Sequence, residues 1–445
     1  MAQSPQPASP PAQQYRKNRS TVLLKDLKKL LGNIGPGFIT GAADDDPSGV
    51  ATYAQTGAIF GYSQLWLVWF TSPFMIVIQQ MCGRIGMVTG RGLAGVIRDN
   101  YPKPVLYGMV SLLVVANTIN IGADLGAMAS SAQMLLGLPF LFWLILITGS
   151  IIALEVFVSY RTYSKILKYL ALTLFTYVLT AFIVRLDWGE VLYATLIPHI
   201  DLSAAFLLNI VAILGTTISP YLFFWQASEE VEEEVADGRI PDMGVRKPCV
   251  TRQGIVEMNR DTTVGMFFSQ VIMFFIIVTT AATLHTGGIT AIQTASQAAE
   301  ALRPLAGDLA YLLFAVGIIG TGLLAVPVLA GASAYAVAEA AGLREGLGKK
   351  PRRAPGFYAV VALSTLIGMS LDWFGINPIT ALYYAAALNG LVAPPLMALI
   401  IRIANRKEVM GQFVNSRASS VLGWVIVLVM ALASAALIVN LAIGL

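Results

Sequence analysis

The chain has 445 residues, of which 56% are hydrophobic and 12% are charged, and its mean hydropathy is +0.70. Soluble domains carry about 25% charged residues, so this composition excludes a soluble protein and predicts an all-α polytopic membrane protein with the lipid bilayer as its solvent. The net charge of +4 does not indicate a nucleic-acid partner, because the basic residues lie beside apolar stretches, where they suit an anionic membrane surface.

The beginning of the chain differs from the rest. The first twenty residues are rich in Pro, Gln and Ser, and residues 1–32 are predicted to form a disordered cytosolic tail. No signal peptide precedes the first apolar stretch, so we expect that stretch to be a retained helix. The two cysteines, Cys82 and Cys249, have neither a metal nor a redox spacing and are expected to be free thiols.

About eleven apolar stretches have the length of a membrane span. They lie at roughly residues 33–60, 62–87, 105–134, 138–159, 164–184, 202–236, 262–286, 305–341, 356–372, 376–402 and 419–444. The first five make up a region at 33–184 and the next five a region at 202–404. The last stretch, within residues 418–445, is then one extra span.

The lysines and arginines give the orientation. With eleven spans, almost all of them fall in loops on one side, and the opposite loops carry little beyond Arg185 and Arg303. Because basic loops stay in the cytosol, the N-terminus is predicted to be cytosolic and the C-terminus extracytoplasmic. A plasma membrane follows, and a bacterial inner membrane is the natural case.

The first span is interrupted at its centre by Asp44, Asp45, Asp46, Pro47 and Gly49. An ionised aspartate near the middle of a bilayer costs at least ~2.5–3.5 kcal/mol. Pro47 removes a backbone donor, and Gly49 loosens the helix further. Such a break is tolerated only where it lines a cavity or is buried in protein.

The sixth span is interrupted in a similar way. Hydroxyl side chains and a proline break the apolar run between Leu214 and Tyr221, in the first helix of the second set of five. Breaks at corresponding positions of two halves indicate a midplane substrate site in a transporter built of inverted repeats, and the freed carbonyls suit a cation. The alternative, that both prolines only kink their helices, leaves Asp46 unexplained.

These interrupted spans resemble those of the Nramp family of divalent metal transporters. The similarity includes Gly35–Phe38, Phe60–Tyr62 and Gly86–Arg91, and extends over roughly residues 33–400. It implies a LeuT-like fold with two inverted five-helix repeats, broken helices 1 and 6, and one extra helix. It also implies a monomeric carrier that works by alternating access, is not an enzyme and needs no cofactor.

The resemblance places the metal ligands. The family's Asp-Pro-Gly-Asn motif corresponds to Asp46–Gly49, and its Met-Pro-His motif to Ser219–Tyr221. By position, the ligands are Asp46 for the aspartate, Gly49 for the asparagine, Thr216 for the alanine that offers its carbonyl, and Ser219 for the methionine.

The departures at Ser219 and Gly49 predict a change of ion. A thioether favours softer transition metals, and the hydroxyl of Ser219 removes that preference. The missing side chain at Gly49 is expected to enlarge the pocket enough for a partly hydrated Mg²⁺, which gives up its water reluctantly. These replacements resemble those of the Nramp-related magnesium transporters. Mn²⁺ is expected to bind as well, because it accepts oxygen ligands.

A second set of departures concerns protons. The family couples metal entry to proton entry through two histidines on helix 6 and a pair of carboxylates on helix 3. The histidine positions here are Tyr221 and Gln226. Of the carboxylate pair, Asp124 remains, but the glutamate position is Ala127. The two histidines of the chain lie near the outer ends of spans. We therefore expect an uncoupled uniporter, and the alternative is a proton-coupled Mn²⁺ or Fe²⁺ importer.

Further polar residues are candidates for the ion pathway. Asp44 and Asp45 are expected to point away from Asp46, with at least one of them in a vestibule. Glu229 and Glu233, four apart on one helix face, are candidates for a cytosolic exit path, although solvated or salt-bridged glutamates remain an alternative. Asn389 offers an oxygen near the metal or a hydrogen bond between helices.

Two other functions fit less well. A sodium–amino acid symporter of the same fold needs a positive end for its substrate carboxylate, which the acidic run Asp44–Asp46 opposes. An intramembrane aspartyl protease would pair Asp46 with Asp124 and leave the two breaks unexplained.

Overall fold

The computed structural model describes residues 35–158, 174–245 and 247–443, and the regular structure in these ranges is helical. The predicted tail at 1–32 lies outside the described residues. The helices are α1 (Pro36–Asp44), α2 (Pro47–Phe60), α3 (Trp66–Thr89), α4 (Leu93–Asn100), α5 (Lys103–Leu136), α6 (Phe140–Phe157), α7 (Phe175–Ile183), α8 (Trp188–Leu196), α9 (Ala204–Thr217), α10 (Pro220–Ala236), α11 (Arg252–Thr280), α12 (Ala295–Ala299), α13 (Arg303–Ala306), α14 (Ala310–Ala341), α15 (Pro355–Leu371), α16 (Pro378–Ala404), α17 (Lys407–Met410) and α18 (Arg417–Ile443).

Eight helical stretches in the described ranges are long and apolar enough to cross a membrane. They coincide with predicted spans 3, 4 and 6 to 11. The pair α1 and α2 occupies span 1, α3 occupies span 2, and α7 lies in the second half of span 5, whose first half falls outside the described residues. The all-helical membrane architecture is confirmed, while the count of eleven and the division into two repeats stay predictions.

Both predicted breaks are present. The helix of span 1 stops at Asp44 and restarts at Pro47, and the helix of span 6 stops at Thr217 and restarts at Pro220. Each second half begins with proline at its first turn, where the missing N–H costs nothing and the fixed φ suits a helix. The residues that break the helices therefore also start the next ones.

Glycines seat the first half of each broken helix on an unbroken neighbour. α1 packs chiefly against α11, and α9 against α16. A Cβ added at Gly41 would overlap the backbone of Gly265 on α11, and one added at Gly215 would overlap the backbone of Gly390 on α16. Small residues let helix backbones approach this closely, and the contacts fix where the two breaks lie.

The close backbone contact at Gly41 predicts an effect of substitution on the free energy of unfolding. Gly41→Ala forces α1 away from α11 and is expected to cost about 1–3 kcal/mol, a typical overpacking penalty. Gly149→Ala on α6 is the control, because its Cβ would meet nothing within 4 Å. The midpoint of thermal unfolding in detergent should fall for Gly41→Ala and not for Gly149→Ala. Equal midpoints would contradict the close contact.

Candidate metal site

Asp46 caps the second half of the first broken helix. Its Oδ1 accepts hydrogen bonds from the backbone N–H of Gly49 at 2.6 Å and from the hydroxyl of Ser48 at 2.7 Å. A carboxylate is a favoured N-cap because it satisfies an N–H that the helix leaves free, and it also lies at the positive end of the helix dipole. The carboxylate predicted to bind the metal is thus held in place by the start of α2.

The second oxygen of Asp46 faces two other helices. Oδ2 accepts a hydrogen bond from the Asn120 amide of α5 at 3.1 Å and a longer one from the Tyr221 hydroxyl of α10 at 3.4 Å. The Tyr221 hydroxyl also donates to the carbonyl of Ala43 at 3.0 Å. Tyr221 therefore joins α10 to the end of α1, where that carbonyl has lost its helical partner.

At the second break, the side chain of Ser219 turns back toward α9. Its hydroxyl lies 2.6 Å from the carbonyl oxygen of Thr216 and 2.9 Å from that of Gly215. These carbonyls are free because α9 ends at Thr217. Two of the predicted ligands, the Ser219 hydroxyl and the Thr216 carbonyl, thus lie side by side.

Gly49 brings the two breaks together. A Cβ added at this glycine would lie 3.1 Å from the Thr216 hydroxyl, 3.2 Å from the Asp44 carbonyl and 3.4 Å from the Asp46 carboxylate. The expectation of a roomy pocket is therefore wrong for this conformation. The space that an asparagine side chain would need is closed because Thr216 and the backbone of the break pack against Gly49.

The neighbouring aspartates face the opposite side. The hydroxyl of Ser269 on α11 lies 2.6 Å from Asp44 Oδ2 and 3.1 Å from Asp45 Oδ1. Both aspartates are at most 1% exposed. Asp44 and Asp45 point away from Asp46 as expected. Their expected position in a vestibule is wrong for this conformation, because the contact between Gly41 and Gly265 holds the end of α1 against α11.

Asp124 adds a fourth carboxylate. It lies on α5 and is fully buried. Neither of its oxygens makes a hydrogen bond of normal geometry. Asn120, which the sequence analysis missed, lies four residues earlier on the same face of α5, and this spacing is the signal that would have found it.

These four carboxylates have no basic partner in the described parts of the chain. The ion pairs of Arg and Lys recorded there involve other acids. A buried carboxyl without a basic partner is either protonated or neutralised by a bound cation. The four acids are therefore able to take a cation at the breaks.

The donors available to that cation are mixed. Among residues 35–158, 174–245 and 247–443, no three His, Cys, Asp or Glu side chains meet in a way that would hold a metal by themselves. Around Asp46 the donors are instead carboxylate, hydroxyl, amide and backbone carbonyl oxygens. Such sets suit hard cations such as Mg²⁺, Mn²⁺ and Ca²⁺.

The glutamates of α10 differ from one another. Gln226 is fully buried and donates to Glu230 at 2.8 Å, and Glu230 is also buried. Glu229 and Glu233, which the sequence analysis selected, are half-buried. Glu230 belongs to the same run of glutamates but was not selected from the sequence, although it is one helical turn from Gln226.

Two further glutamates of α10 have structural partners. Glu232 accepts a hydrogen bond from the Tyr335 hydroxyl of α14 at 2.8 Å. Glu234 forms an ion pair with Arg239 at 2.8 Å. For Glu234, the salt-bridged alternative is therefore confirmed.

Asn389 lies on α16 and is 1% exposed. Neither its amide nitrogen nor its oxygen has a hydrogen-bond partner in the structure, so the alternative of a hydrogen bond between helices is wrong for this conformation. It adjoins Gly390, whose backbone contacts α9. Because Asn389 lies beside the second break, it remains a candidate to supply an oxygen near the metal.

A helical bundle in which two broken helices meet around buried carboxylates is the arrangement of a membrane transporter. The model for the Nramp family, described as natural resistance-associated macrophage protein-like, matches residues 37–440. The protein belongs to the Nramp family.

Several relatives support this assignment. The divalent metal cation transporter MntH of Deinococcus radiodurans is 26% identical, over 92% of this chain and 90% of that protein. MntH of Klebsiella pneumoniae is 28% identical, over 96% of this chain and 98% of its own length. Both are named as transporters and not as enzymes, in agreement with the sequence analysis.

Solved structures show the same fold. A manganese transporter from Eremococcus coleocola has a TM-score of 0.70 at 17% identity, covering 92% of this chain and 86% of that one. Mhp1, a nucleobase-cation-symport-1 family transporter in a closed conformation, has a TM-score of 0.59 at 14% identity, covering 92% of this chain and 90% of that one. The predicted LeuT-like fold is confirmed.

The Tyr221 hydroxyl provides a test of how the break is held. Tyr221→Phe leaves the buried Ala43 carbonyl without its donor, which is expected to cost about 1–3 kcal/mol. Tyr193→Phe serves as the control, since that ring is 67% exposed. Thermal unfolding in detergent should show a lower midpoint for Tyr221→Phe alone. Unchanged midpoints in both variants would mean that the hydrogen bond does not stabilise the break.

Proposed function

We propose that this protein carries Mg²⁺ and Mn²⁺ across the plasma membrane by alternating access around Asp46, without proton coupling. One observation carries the proposal: Asp46 is buried where both broken helices meet, and the groups that hydrogen-bond to it are hydroxyls, a backbone N–H and an amide. A bacterial inner membrane, a cytosolic N-terminus and a monomeric carrier are part of the same proposal.

The proposed ligands are Asp46, the Thr216 carbonyl and the Ser219 hydroxyl. In the conformation described, the Ser219 hydroxyl donates to the Thr216 carbonyl. Binding of a cation replaces this hydrogen bond, because the carbonyl and the hydroxyl oxygen both turn their lone pairs to the ion. Gly49 contributes by allowing Thr216 to approach Asp46.

The closed space at Gly49 bears on how Mg²⁺ enters. Mg²⁺ usually keeps several waters when it binds to protein carboxylates. Entry of a partly hydrated ion therefore requires Thr216 to move away from Gly49, which an opening between α2 and α9 would provide.

The absence of coupling is proposed from the titratable side chains. His199 and His285 are the two histidines of the chain, and both are exposed. The ring of His285 contacts the carbonyl of Ala58, twelve residues along the chain from Asp46. A divalent cation gains about 4.6 kcal/mol per 100 mV on entering a negative interior, so uptake needs no proton gradient.

A proton-coupled Mn²⁺ or Fe²⁺ importer is the second candidate. The relatives named as manganese or divalent metal transporters favour it. So do the buried carboxyls of Asp124 and Glu230, which are able to carry protons.

Uptake by liposomes decides between the two. The native chain is expected to take up Mg²⁺ and Mn²⁺ without acidifying the lumen, and Asp46→Asn is expected to abolish uptake of both, because it removes the charge that binds the ion. Internal metal dyes and an internal pH dye provide the measurement. Mn²⁺ entry with acidification and without Mg²⁺ entry would overturn the proposal in favour of the second candidate.

The hydroxyl at Ser219 tests ion selectivity. Ser219→Met introduces a thioether, so the ratio of Mn²⁺ to Mg²⁺ uptake is expected to rise by about tenfold or more, since soft ligands favour transition metals. Ser364→Ala, a buried serine on α15 whose hydroxyl bonds its own helix at 3.0 Å, is the control. A ratio unchanged by Ser219→Met would place Ser219 outside the ion's coordination.

A further inference from the structure

We propose that Asn120 of α5 is a further ligand of the transported ion, and that its side-chain amide rotates to give Oδ1 to the ion bound by Asp46. The inference rests on the proposed function, because it adds a ligand to the same site. It assigns a role to a fully buried side chain that lies on an unbroken helix and not on either broken one.

The two oxygens of Asp46 are not equally available to an ion. Oδ1 accepts short hydrogen bonds from the backbone N–H of Gly49 at 2.6 Å and from the Ser48 hydroxyl at 2.7 Å. Oδ2 accepts longer ones from the Asn120 amide at 3.1 Å and from the Tyr221 hydroxyl at 3.4 Å. A cation is therefore expected to bind at Oδ2, where the nearer of the two partners is the NH2 group of Asn120.

A cation at Oδ2 is incompatible with the present orientation of Asn120. The NH2 group of an amide donates hydrogen bonds, whereas its oxygen has the lone pairs that a metal needs. Asn120 is fully buried, so its side chain has no solvent to move into. A half-turn of the terminal amide exchanges the NH2 group and Oδ1 within the same space, and this torsion is soft because its profile is broad and roughly two-fold.

The rotation costs Oδ1 no hydrogen bond. Asn120 Oδ1 is buried and has no hydrogen bond in the structure, which is unfavourable for an acceptor away from water. A bound ion satisfies this oxygen. The NH2 group finds an acceptor in Asp124, which lies four residues further along the same face of α5 and whose oxygens make no hydrogen bond of normal geometry.

A neighbouring asparagine shows what a purely structural amide does on this helix. Asn117 is also fully buried on α5, and its NH2 group donates to the Leu329 carbonyl at 3.1 Å and to the Ser333 hydroxyl at 3.0 Å. Both acceptors belong to α14, so this amide joins two unbroken helices. The amide of Asn120 donates instead to the proposed ligand Asp46.

The resulting ligand set remains one for hard cations. An asparagine oxygen is a neutral ligand of the kind that oxygen-seeking divalent cations accept beside carboxylates and backbone carbonyls. With Asp46, the Thr216 carbonyl and the Ser219 hydroxyl, Asn120 makes four oxygens from both breaks and from α5. The ion would thus be bound on the side of α5 as well as between the two broken helices.

Mn²⁺ alone is the probe for the test, with the full chain in detergent and the dissociation constant measured by equilibrium dialysis. Asn120→Ala is expected to weaken binding by about tenfold or more. Asn120→Asp keeps an oxygen for the ion but loses the NH2 donor, so it is expected to bind as tightly as the native chain or more tightly. Asn117→Ala is the matched control, with a lower midpoint of thermal unfolding and an unchanged dissociation constant.

The outcomes separate this inference from the proposed function. Equal weakening in Asn120→Ala and Asn120→Asp means that Asn120 only holds Asp46 through its NH2 group, and it overturns the inference. Unchanged binding in Asn120→Ala also overturns it. The proposed function fails separately, if Asp46→Asn binds Mn²⁺ as well as the native chain does. No Mn²⁺ bound by the folded native chain overturns both.

Crystals of the native chain soaked in Mn²⁺ decide the question if the Asn120 variants do not fold. An anomalous peak at bonding distance from the Asn120 amide and from Asp46 Oδ2 supports the inference. A peak at Asp46 that lies beyond bonding distance of Asn120 overturns it and leaves the proposed function intact.

Discussion

Polar groups at the two helix breaks have to be satisfied inside the protein, because lipid offers them no hydrogen bonds. The rest of the structure depends on this constraint. Asp46 caps α2, the hydroxyl of Ser219 takes up the carbonyls at the end of α9, and Tyr221 takes up the carbonyl of Ala43. The packing of α1 and α9 against their neighbours holds these groups within reach of one another.

The same constraint explains how the region around the two helix breaks is stable without an ion and is also suited to the proposed ion binding. The oxygens proposed as ligands already take part in hydrogen bonds across the breaks, so the ion-free protein does not leave them all unpaired. In the proposed mechanism, an ion replaces the hydrogen bond between the Ser219 hydroxyl and the Thr216 carbonyl with contacts to charge. The proposed exchange between these two bonding patterns would link ion binding to the positions of α1, α2, α9 and α10.

Much of this arrangement is predictable from the sequence. Aspartate, proline and glycine in the middle of an apolar span have no other satisfactory explanation, so both breaks and Asp46 follow from local chemistry. Asn120 was missed, and Glu230 was not selected from its run of glutamates, because a polar residue in a long helix does not show which neighbour it faces. Asn120 is four residues from Asp124, and Glu230 is four residues from Gln226. These spacings show which neighbours the two residues face only after the positions of Asp124 and Gln226 in the fold are known.

Two expectations failed because they treated residues one at a time. Removing the asparagine side chain at Gly49 was expected to leave space, yet neighbouring atoms close in on a glycine, as they do in any well-packed interior. Asp44 and Asp45 were expected in a vestibule because charges prefer water. The glycines that seat α1 on α11 lie along the chain before and far after these aspartates, and the contact between them is a property of the fold.

The glycine seats also have a mechanical consequence. At Gly41 with Gly265, and at Gly215 with Gly390, one backbone rests directly on another. A half-helix is able to tilt at such a point without a rotamer change at the contact itself. The glycine contacts are therefore the natural pivots for rigid-body motion of the two half-helices that carry the freed carbonyls.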